Sequence, residues 1–593
     1  MTRSALALLP LLALAAPLAA QTSTSAAATN EPVTRVVVFG DSLSDGGFFL
    51  PLNPAIPREA GSFTTNPDPV APEVFAARLG IDLQPVYGRG GTNYAIGGAR
   101  VAAPNGVTIP ITTQISNFVA GGGTFGARDL VYIQGGGNDF FAFQAGGSTN
   151  NAILTTAATQ LAAQVVRLQG LGAERIVTLA IQGANSGGLA LFNQTFAAAL
   201  ASSGVNALYF DTNRLFNEIV ANAASFGITN TTGTACIGSS LSCTRATLVA
   251  PNANETYLLA DAVHPAGITQ RIQGQAIASL VQAPEQIAGL AYAGQALFRS
   301  QRDLIESPER GNAVREGSRL SFYGAGAYHY YRSGSTAQRV GLNERTFSGI
   351  AGADLSLGGT SGIGVAGGYA DGNGDFGPGS GDYRVKAWTA NGYIRAGMGP
   401  FRLLADGTYG EINYPRISRR AQLGPTVRTN RGKTDGNYYA GRATAALDLV
   451  TMGGIGLGPD ISGQYERLTI AGYAEDASTS TNASFGRQRI RSVTGRASLV
   501  ARTLPGAPVG FFARAGFERE FDDDPRTLVL TPAGAPISYT SGVERADRNY
   551  LSYAMGVDGR LLGALSVRAG VSGYSLRGDR DTVNAFAGLS TAF

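Results

Sequence analysis

The side chains best suited to nucleophilic chemistry stand far apart in the sequence. Ser42 lies in Phe39-Gly-Asp-Ser-Leu-Ser-Asp45, directly after an apolar run, and His264 lies in Asp261-Ala-Val-His-Pro265. The chain has 593 residues but only 2 histidines, of which the other is His329. A serine hydroxyl attacks an ester readily only when a neighbouring base accepts its proton. Because His264 is the only imidazole in the first half of the chain, these residues predict a serine hydrolase.

Asp261 stands close enough to His264 in sequence for both side chains to belong to one turn. A carboxylate in that position holds the imidazole in the tautomer that leaves one ring nitrogen free to accept a proton. Ser42 is expected at the carboxyl edge of a sheet, where open α/β folds bind their ligands. The alternatives are a structural role for His264 and a helix-capping role for Ser42.

The blocks around Ser42 and His264 are the first and last of four short blocks along the chain. The second is Asn93-Tyr-Ala-Ile-Gly-Gly-Ala99 and the third is Gly136-Gly-Asn-Asp139. Together and in this order, the four resemble the GDSL (or SGNH) family of lipases and esterases. The resemblance covers residues 35–282. It implies a three-layer α/β fold with a flavodoxin-like parallel sheet, a Ser42, His264 and Asp261 triad, and no metal or organic cofactor.

The same resemblance implies an oxyanion hole. Its donors would be the backbone N–H of Ser42, the side-chain amide of Asn138 and the backbone N–H of a glycine in the second block. Gly98 fits the spacing best, and Gly97 stays open as the alternative. A purely turn-forming role is the alternative for Asn138.

Short apolar runs alternate with helical patterns across the first half. Helices are predicted at 72–79, 151–171, 189–201, 212–224 and 267–281. Strands are predicted at 36–39, 93–96, 130–134, 175–180 and 207–210. Continuous apolar strands that alternate with helices favour a parallel sheet covered on both faces.

Beyond about residue 318 the apolar pattern changes to a period of two, which is typical of a transmembrane antiparallel β-barrel of twelve strands. A soluble β-sandwich or solenoid is the alternative. The twelve predicted strands lie near 319–332, 346–358, 361–372, 382–398, 401–413, 437–450, 455–471, 490–503, 509–521, 549–560, 564–575 and 582–593. His329 falls in the first of them, as an aromatic-belt or lumen residue.

This second half resembles the translocator β-barrel of autotransporters in its pattern, its length and its terminal Phe593. The resemblance implies that a helix threads the barrel and tethers the passenger. Residues 284–306, which contain an Ala- and Gly-rich helix predicted at 287–305, are placed for that role. Outer-membrane lipid and the outer-membrane assembly machinery are the partners that follow.

The start of the chain and its cysteines indicate export. Arg3 followed by the apolar run from Ala5 to Ala20 predicts a secretory signal peptide. Cys236 and Cys243 are close in sequence and are expected to form a disulfide outside the cytoplasm, with two buried free thiols as the alternative. No later apolar run is long enough for a transmembrane helix. The formal net charge of +4 is too small to favour nucleic acid as a partner.

The sequence thus predicts four segments: a signal peptide at 1–20, an esterase passenger at 21–282, a linker helix at 283–310 and an autotransporter barrel at 311–593. The predicted function is hydrolysis of acyl esters, lipids or small molecules, by a catalytic domain at the cell surface that an outer-membrane barrel anchors. The alternatives are an acetyl-sugar esterase or thioesterase on the same fold, and a surface adhesin.

Overall fold

The computed structural model describes residues 31–183, 186–305, 319–358, 360–504, 507, 509–522, 524–562, 565–575 and 578–593. The predicted signal peptide lies outside the described residues, and so do residues 306–318, where the predicted linker ends and the predicted barrel begins.

A parallel sheet forms the centre of the first half. Its strands β1 (Arg35–Phe39), β2 (Asp129–Ile133), β3 (Ile176–Leu179) and β4 (Leu208–Phe210) are adjacent in this order and all parallel. The prediction of a strand at 93–96 is wrong, since Asn93 forms only isolated bridges there. The segment still lies along β1, because the Tyr94 N–H donates to the Val38 carbonyl at 2.8 Å. Counting it, the order along the sheet is the flavodoxin-like one.

Two layers of helices cover this sheet. The helices are α1 (Ala71–Arg78), α2 (Ile111–Ala120), α3 (Gly137–Ala145), α4 (Ala152–Gly170), α5 (Gly187–Ser203), α6 (Thr212–Ala221), α7 (Ala253–Thr256) and α8 (Gly267–Asp303). Val36 and Val38 of β1 pack in one core with α1, α6 and α8, whereas Val37 and Phe39 pack in the other with α2, α4 and α5. Among the described residues, no helix is both long and apolar enough to cross a membrane.

The second half is a closed antiparallel barrel, and the prediction of twelve strands is confirmed. The strands are Leu320–Ser333, Leu342–Gly358, Ser361–Phe376, Gly381–Met398, Phe401–Leu423, Thr426–Leu447, Ile455–Ile470, Gln488–Thr503, Val509–Glu520, Asn549–Leu562, Leu565–Ser575 and Arg580–Ala592. The last strand pairs with the first, from Arg580 opposite Ser333 to Ala592 opposite Ser321. Closure leaves no strand edge whose backbone groups would lack partners in lipid.

Alternation of exposed and buried residues gives the barrel an apolar outer face. The rings of Trp388 and Tyr409 lie 5.4 Å apart on it, and those of Tyr409 and Tyr439 lie 5.2 Å apart. Phe593 contacts Phe322 at the opposite end, with ring centroids 6.1 Å apart. Aromatic girdles of this kind sit at the two interfaces of a membrane.

One helix joins the two halves. The sequence predicts separate helices at 267–281 and 287–305, and the structure instead has the single helix α8 from Gly267 to Asp303, with Pro284 inside it. The predicted boundary between residues 282 and 283 falls within this helix. Its side chains are buried first against the sheet and then inside the barrel, and both environments support helix across the proline position.

Small and charged residues fit the end of α8 to the barrel lumen. A Cβ at Gly294 would lie 2.9 Å from Ile412 and Tyr414, so only glycine fits there without displacing them. Further along, Arg299 binds Glu466 at 2.7 Å, and Arg302 binds Asp406 at 3.0 Å. These four side chains are at most 2% exposed. Buried charges are tolerated only when they are paired, so this network fixes one position of the helix in the lumen.

The loops of the barrel hold the amino edge of the parallel sheet. The Gln338 side chain bonds both the N–H and the carbonyl of Val33, just before β1. Asn206, just before β4, exchanges two hydrogen bonds with Thr540. Glu218, near the end of the neighbouring helix α6, accepts from Arg428 at 2.9 Å. The carboxyl edge of the sheet therefore faces away from the barrel.

Removal of one buried guanidinium tests the lumen network. Arg302 binds Glu466 at 3.2 Å as well as Asp406. Arg302→Met leaves both carboxylates short of a partner, so we expect the free energy of unfolding of the barrel to fall by about 3 kcal/mol. The measurement is the temperature at which the detergent-solubilised barrel unfolds. Arg491→Met is the matched control, because Arg491 is 52% exposed and a surface ion pair contributes at most about 1 kcal/mol. Equal effects of the two substitutions would contradict the role of this charge network in fixing the helix.

Candidate active site

Ser42 follows the carboxyl end of β1, beside the end of β2. The Gln114 side chain fixes this exit by accepting from the Gly40 N–H at 3.0 Å and donating to the Gly40 carbonyl at 2.9 Å. The Asp41 carboxylate accepts from the Leu43 N–H at 3.1 Å, which shapes the turn around Ser42. In a flavodoxin-like sheet this edge is the topological switch point, where a crevice opens between the loops.

The structure brings Ser42, His264 and Asp261 together. His264 Nε2 lies 2.8 Å from Ser42 Oγ, and His264 Nδ1 lies 2.9 Å from both carboxylate oxygens of Asp261. With the proton on Nδ1, the imidazole donates to the carboxylate and Nε2 is the acceptor for the serine hydroxyl. The geometry is therefore that of a nucleophile, a base and an orienting carboxylate.

The turn from Asp261 to His264 is built by the same carboxylate. Asp261 Oδ1 accepts from the Val263 N–H at 3.1 Å and from the His264 N–H at 2.9 Å. Burial alone would raise the pKa of Asp261, but hydrogen bonds from His264 and Ser240 hold it well below its usual range. Asp261 is consequently ionised at neutral pH and can stabilise an imidazolium next to it.

The two glycines that the sequence left open differ in their hydrogen bonds. The Gly97 N–H donates to Asp45 Oδ2 at 2.8 Å, and a Cβ at Gly97 would lie 2.2 Å from the Phe63 ring. Gly98 has φ +79°, a conformation that favours glycine. The Gly97 N–H thus already has a partner in the protein.

Asn138 lies in the first turn of α3, a helix that the sequence reasoning missed. Gly136, with φ +106°, is the residue before this helix, and a Cβ there would collide with Phe192. One N–H of the Asn138 amide donates to the Ala99 carbonyl at 3.0 Å, which ties α3 to the glycine block. The amide has a second N–H that can serve as a donor to a ligand.

Known proteins match both halves of the chain. Residues 36–277 match the family described as GDSL-like Lipase/Acylhydrolase, and residues 322–572 match the Autotransporter beta-domain. The chain is 28% identical to Esterase EstA of Pseudomonas aeruginosa, over 97% of this chain and 98% of that protein. It is 23% identical to Lipase 1 of Photorhabdus luminescens, over 90% of this chain and 92% of that protein. The solved translocator domain of autotransporter NalP from Neisseria meningitidis aligns at 15% identity and a TM-score of 0.41, covering 51% of this chain and 98% of that one.

The chain is an autotransporter with a GDSL-like lipase/acylhydrolase domain. Its enzyme class is carboxylic ester hydrolase, as the family match predicts. Its β-domain places the protein in an outer membrane, and the predicted resemblance to both families is confirmed.

Several residues that support this autotransporter's site left no signal in the sequence. Ser240 contacts Asp261 and His264, and the Phe63 ring lies 4.9 Å from the imidazole of His264. Both come from loops whose positions depend on tertiary packing. Cys236 and Cys243 form a disulfide, which closes the loop that carries Ser240.

The second histidine lies far from this site. His329 is fully buried in the barrel lumen, where its Nδ1 lies 2.6 Å from Asn584 Oδ1. Of the two places that the sequence left open for it, the structure shows the lumen. It contributes no base to Ser42.

Three buried carboxyls beneath the site predict a pH-dependent stability. Burial raises the pKa of Asp41 to about 6, of Asp45 to about 6 and of Glu73 to about 7. Between pH 4.5 and 7 the folded state therefore binds more protons than the unfolded state, so stability falls as pH rises through this window. Asp261 is ionised across the whole window and adds no slope.

Glu73→Gln is expected to flatten this dependence, since glutamine does not titrate. A shift of the pKa of Glu73 from 4.5 to about 7 corresponds to a change of about 3 kcal/mol in the free energy of unfolding across this pH window. Denaturant unfolding of the detergent-solubilised chain, followed by circular dichroism of the helices at several pH values, is the measurement. Glu59→Gln, at an exposed loop position, is the control that keeps the wild-type slope. A wild-type slope in Glu73→Gln would refute the assignment.

Proposed function

We propose that this autotransporter is a serine esterase or lipase that works through an acyl-enzyme at the cell surface. The observation that carries the proposal is the 2.8 Å contact between Ser42 Oγ and His264 Nε2, with Asp261 on the other ring nitrogen. The relatives named esterase and lipase favour carboxylic esters as the substrates.

In the first half-reaction Ser42 Oγ attacks the ester carbonyl carbon while its proton passes to His264 Nε2. The tetrahedral intermediate that forms carries a negative oxygen. As it collapses, the bond to the alkoxy oxygen breaks, and the imidazolium returns the proton to the leaving alcohol. Asp261 holds the ring in one tautomer throughout and stabilises the imidazolium.

In the second half-reaction a water molecule attacks the acyl-serine. His264 takes a proton from this water and then returns it to Ser42 Oγ as the carboxylic acid leaves. The protein ends in its starting state, and each step balances without a metal or redox partner.

The oxyanion donors in this proposal are the N–H of Ser42, the N–H of Gly98 and the free N–H of the Asn138 amide. Gly98 is preferred to Gly97 because the Gly97 N–H already donates to Asp45. Each such donor typically contributes about 3–4 kcal/mol to stabilisation of the transition state.

The connections of the barrel strands support display at the surface. Short turns, as at 399–400, occur at the end where Phe593 lies, whereas long connections, as at 471–487 and 521–548, occur at the end that holds the catalytic domain. In outer-membrane barrels the short turns are periplasmic and the long loops are extracellular. Since the carboxyl edge of the sheet faces away from the barrel, the substrate would arrive from outside the cell. Membrane lipid and the outer-membrane assembly machinery are the partners that this placement implies.

Hydrolysis of acetylated sugars or thioesters on the same fold is the alternative. A panel of esters graded by acyl length, run beside acetylated sugars and acyl-thioesters on intact cells, separates these substrate classes. If the protein is a carboxylic esterase or lipase, we expect the highest kcat/KM on the carboxylic esters.

Ser42→Ala tests the nucleophile. We expect a loss of at least about 10⁴ in turnover, because no acyl-enzyme can form, with an unchanged unfolding temperature. A membrane-impermeant organophosphonate on intact cells should label the wild type at Ser42, as peptide mass spectrometry would show. Labelling at another serine, with activity retained in Ser42→Ala, would exclude the mechanism.

Asn138→Ala tests the oxyanion hole. Loss of one donor is expected to lower kcat by roughly 10²–10³ while KM changes little. Asn222→Ala is the matched control, because Asn222 is exposed at the end of α6, far from β1 in the fold. If Asn138→Ala kept the kcat of the control, another donor would have to fill the role.

A further inference from the structure

Ser240 contacts Asp261 and His264 on the side that faces away from Ser42. Its N–H donates to Asp261 Oδ2 at 2.9 Å, and its Oγ lies 3.2 Å from His264 Nδ1. Ser240 is fully buried. Because Oδ1 of Asp261 serves the turn itself, Ser240 supplies the backbone donor that fixes the second carboxylate oxygen.

A disulfide holds Ser240 in this place. The bridge joins Cys236 to Cys243, which are 7 positions apart in sequence, with Cα atoms 5.7 Å apart. The Cys236 N–H donates to the carbonyl of Ala260 at 2.9 Å, directly before Asp261. The loop is therefore hydrogen-bonded next to Asp261 at Cys236, and the disulfide joins its two ends covalently.

The same loop also holds the segment on the other side of the imidazole. The Asn66 amide donates to the Ser240 carbonyl at 3.0 Å, and the Gly61 N–H donates to the Leu241 carbonyl at 3.0 Å. Between these two points lies Phe63, whose ring is 4.9 Å from the ring of His264. The loop thus contacts Asp261, which accepts the imidazole proton, and also holds the segment that carries Phe63, whose ring packs on the imidazole.

We propose that Ser240, held by the Cys236–Cys243 loop, is a positioning residue that orients Asp261 and His264 toward Ser42. This inference rests on the proposed function of the triad. The loop limits rotation of the carboxylate and of the imidazole, so that Nε2 stays aligned with the serine hydroxyl. Small misplacements of such groups have large effects on rate.

Kinetics of two variants test this role in the full-length protein in detergent. Ser240→Ala removes the hydroxyl and keeps the backbone N–H, so kcat for a short soluble ester is expected to fall about tenfold while KM stays within about twofold. The double variant Cys236→Ser with Cys243→Ser releases the loop and should lower kcat by at least as much. Ser242→Ala is the matched control, because Ser242 is exposed in the same loop and is expected to keep the wild-type kcat.

A separate measurement of the unfolding temperature distinguishes positioning from loss of fold. A lower kcat at an unchanged unfolding temperature and unchanged KM supports the proposal. Wild-type kcat in Ser240→Ala and in the folded disulfide variant overturns it, even if Ser42→Ala is inactive. Activity retained in Ser42→Ala would instead overturn the proposed function.

Discussion

The structure depends on one continuous helix that is part of both the α/β domain and the barrel. α8 begins beside the turn that carries Asp261 and His264, packs against the parallel sheet and ends among buried charges in the barrel lumen. At its start the Gly267 N–H donates to Thr65 Oγ1 at 2.9 Å, close to the loop that carries Phe63. At its end Arg299 and Arg302 bind carboxylates of the barrel wall. Because a helix is stiff along its axis, the two anchor points fix the height of the catalytic domain above the barrel.

The charged lumen explains how a barrel of twelve strands can hold a helix. Polar side chains of the wall bind the helix backbone as well as its charges: the Tyr414 hydroxyl donates to the Leu290 carbonyl at 2.7 Å, and Gln488 donates to the Ile287 carbonyl at 3.1 Å. Such contacts favour a single register of the helix over sliding positions. Together with the loops that bind the amino edge of the sheet, they leave the carboxyl edge and Ser42 directed away from the barrel.

Much of the architecture was predictable because it follows from local periodicity. Alternation revealed every barrel strand, although the strands Phe401–Leu423 and Thr426–Leu447 extend well beyond their predicted ends. Their extensions carry arginines, which a periodic apolar pattern does not register. The scarcity of histidine alone predicted the pairing of Ser42 with His264. In the structure Ser42 Oγ and His264 Nε2 lie 2.8 Å apart.

The features that could not be predicted depend on tertiary surroundings. The sequence predicted two helices, at 267–281 and 287–305, but burial against the sheet and then in the lumen sustains a single helix that continues through Pro284. The segment at Asn93 follows β1 through isolated bridges and does not form a strand of its own. Its course depends on contact with β1, which the local sequence does not reveal. Ser240 is one serine among many until the disulfide and the turn at Asp261 bring it to the carboxylate.

The central claim is that Ser42 is acylated because His264, oriented by Asp261, removes its proton. Stopped-flow measurement of the acylation rate of Ser42 by an activated ester tests it most directly, in His264→Ala and in His264→Ala combined with Asp261→Asn. The account predicts that the single variant acylates at least about 10³-fold more slowly than the wild type, and that the double variant is no slower than the single one, since the residues act as a unit. Acylation of His264→Ala within about tenfold of the wild-type rate would contradict it.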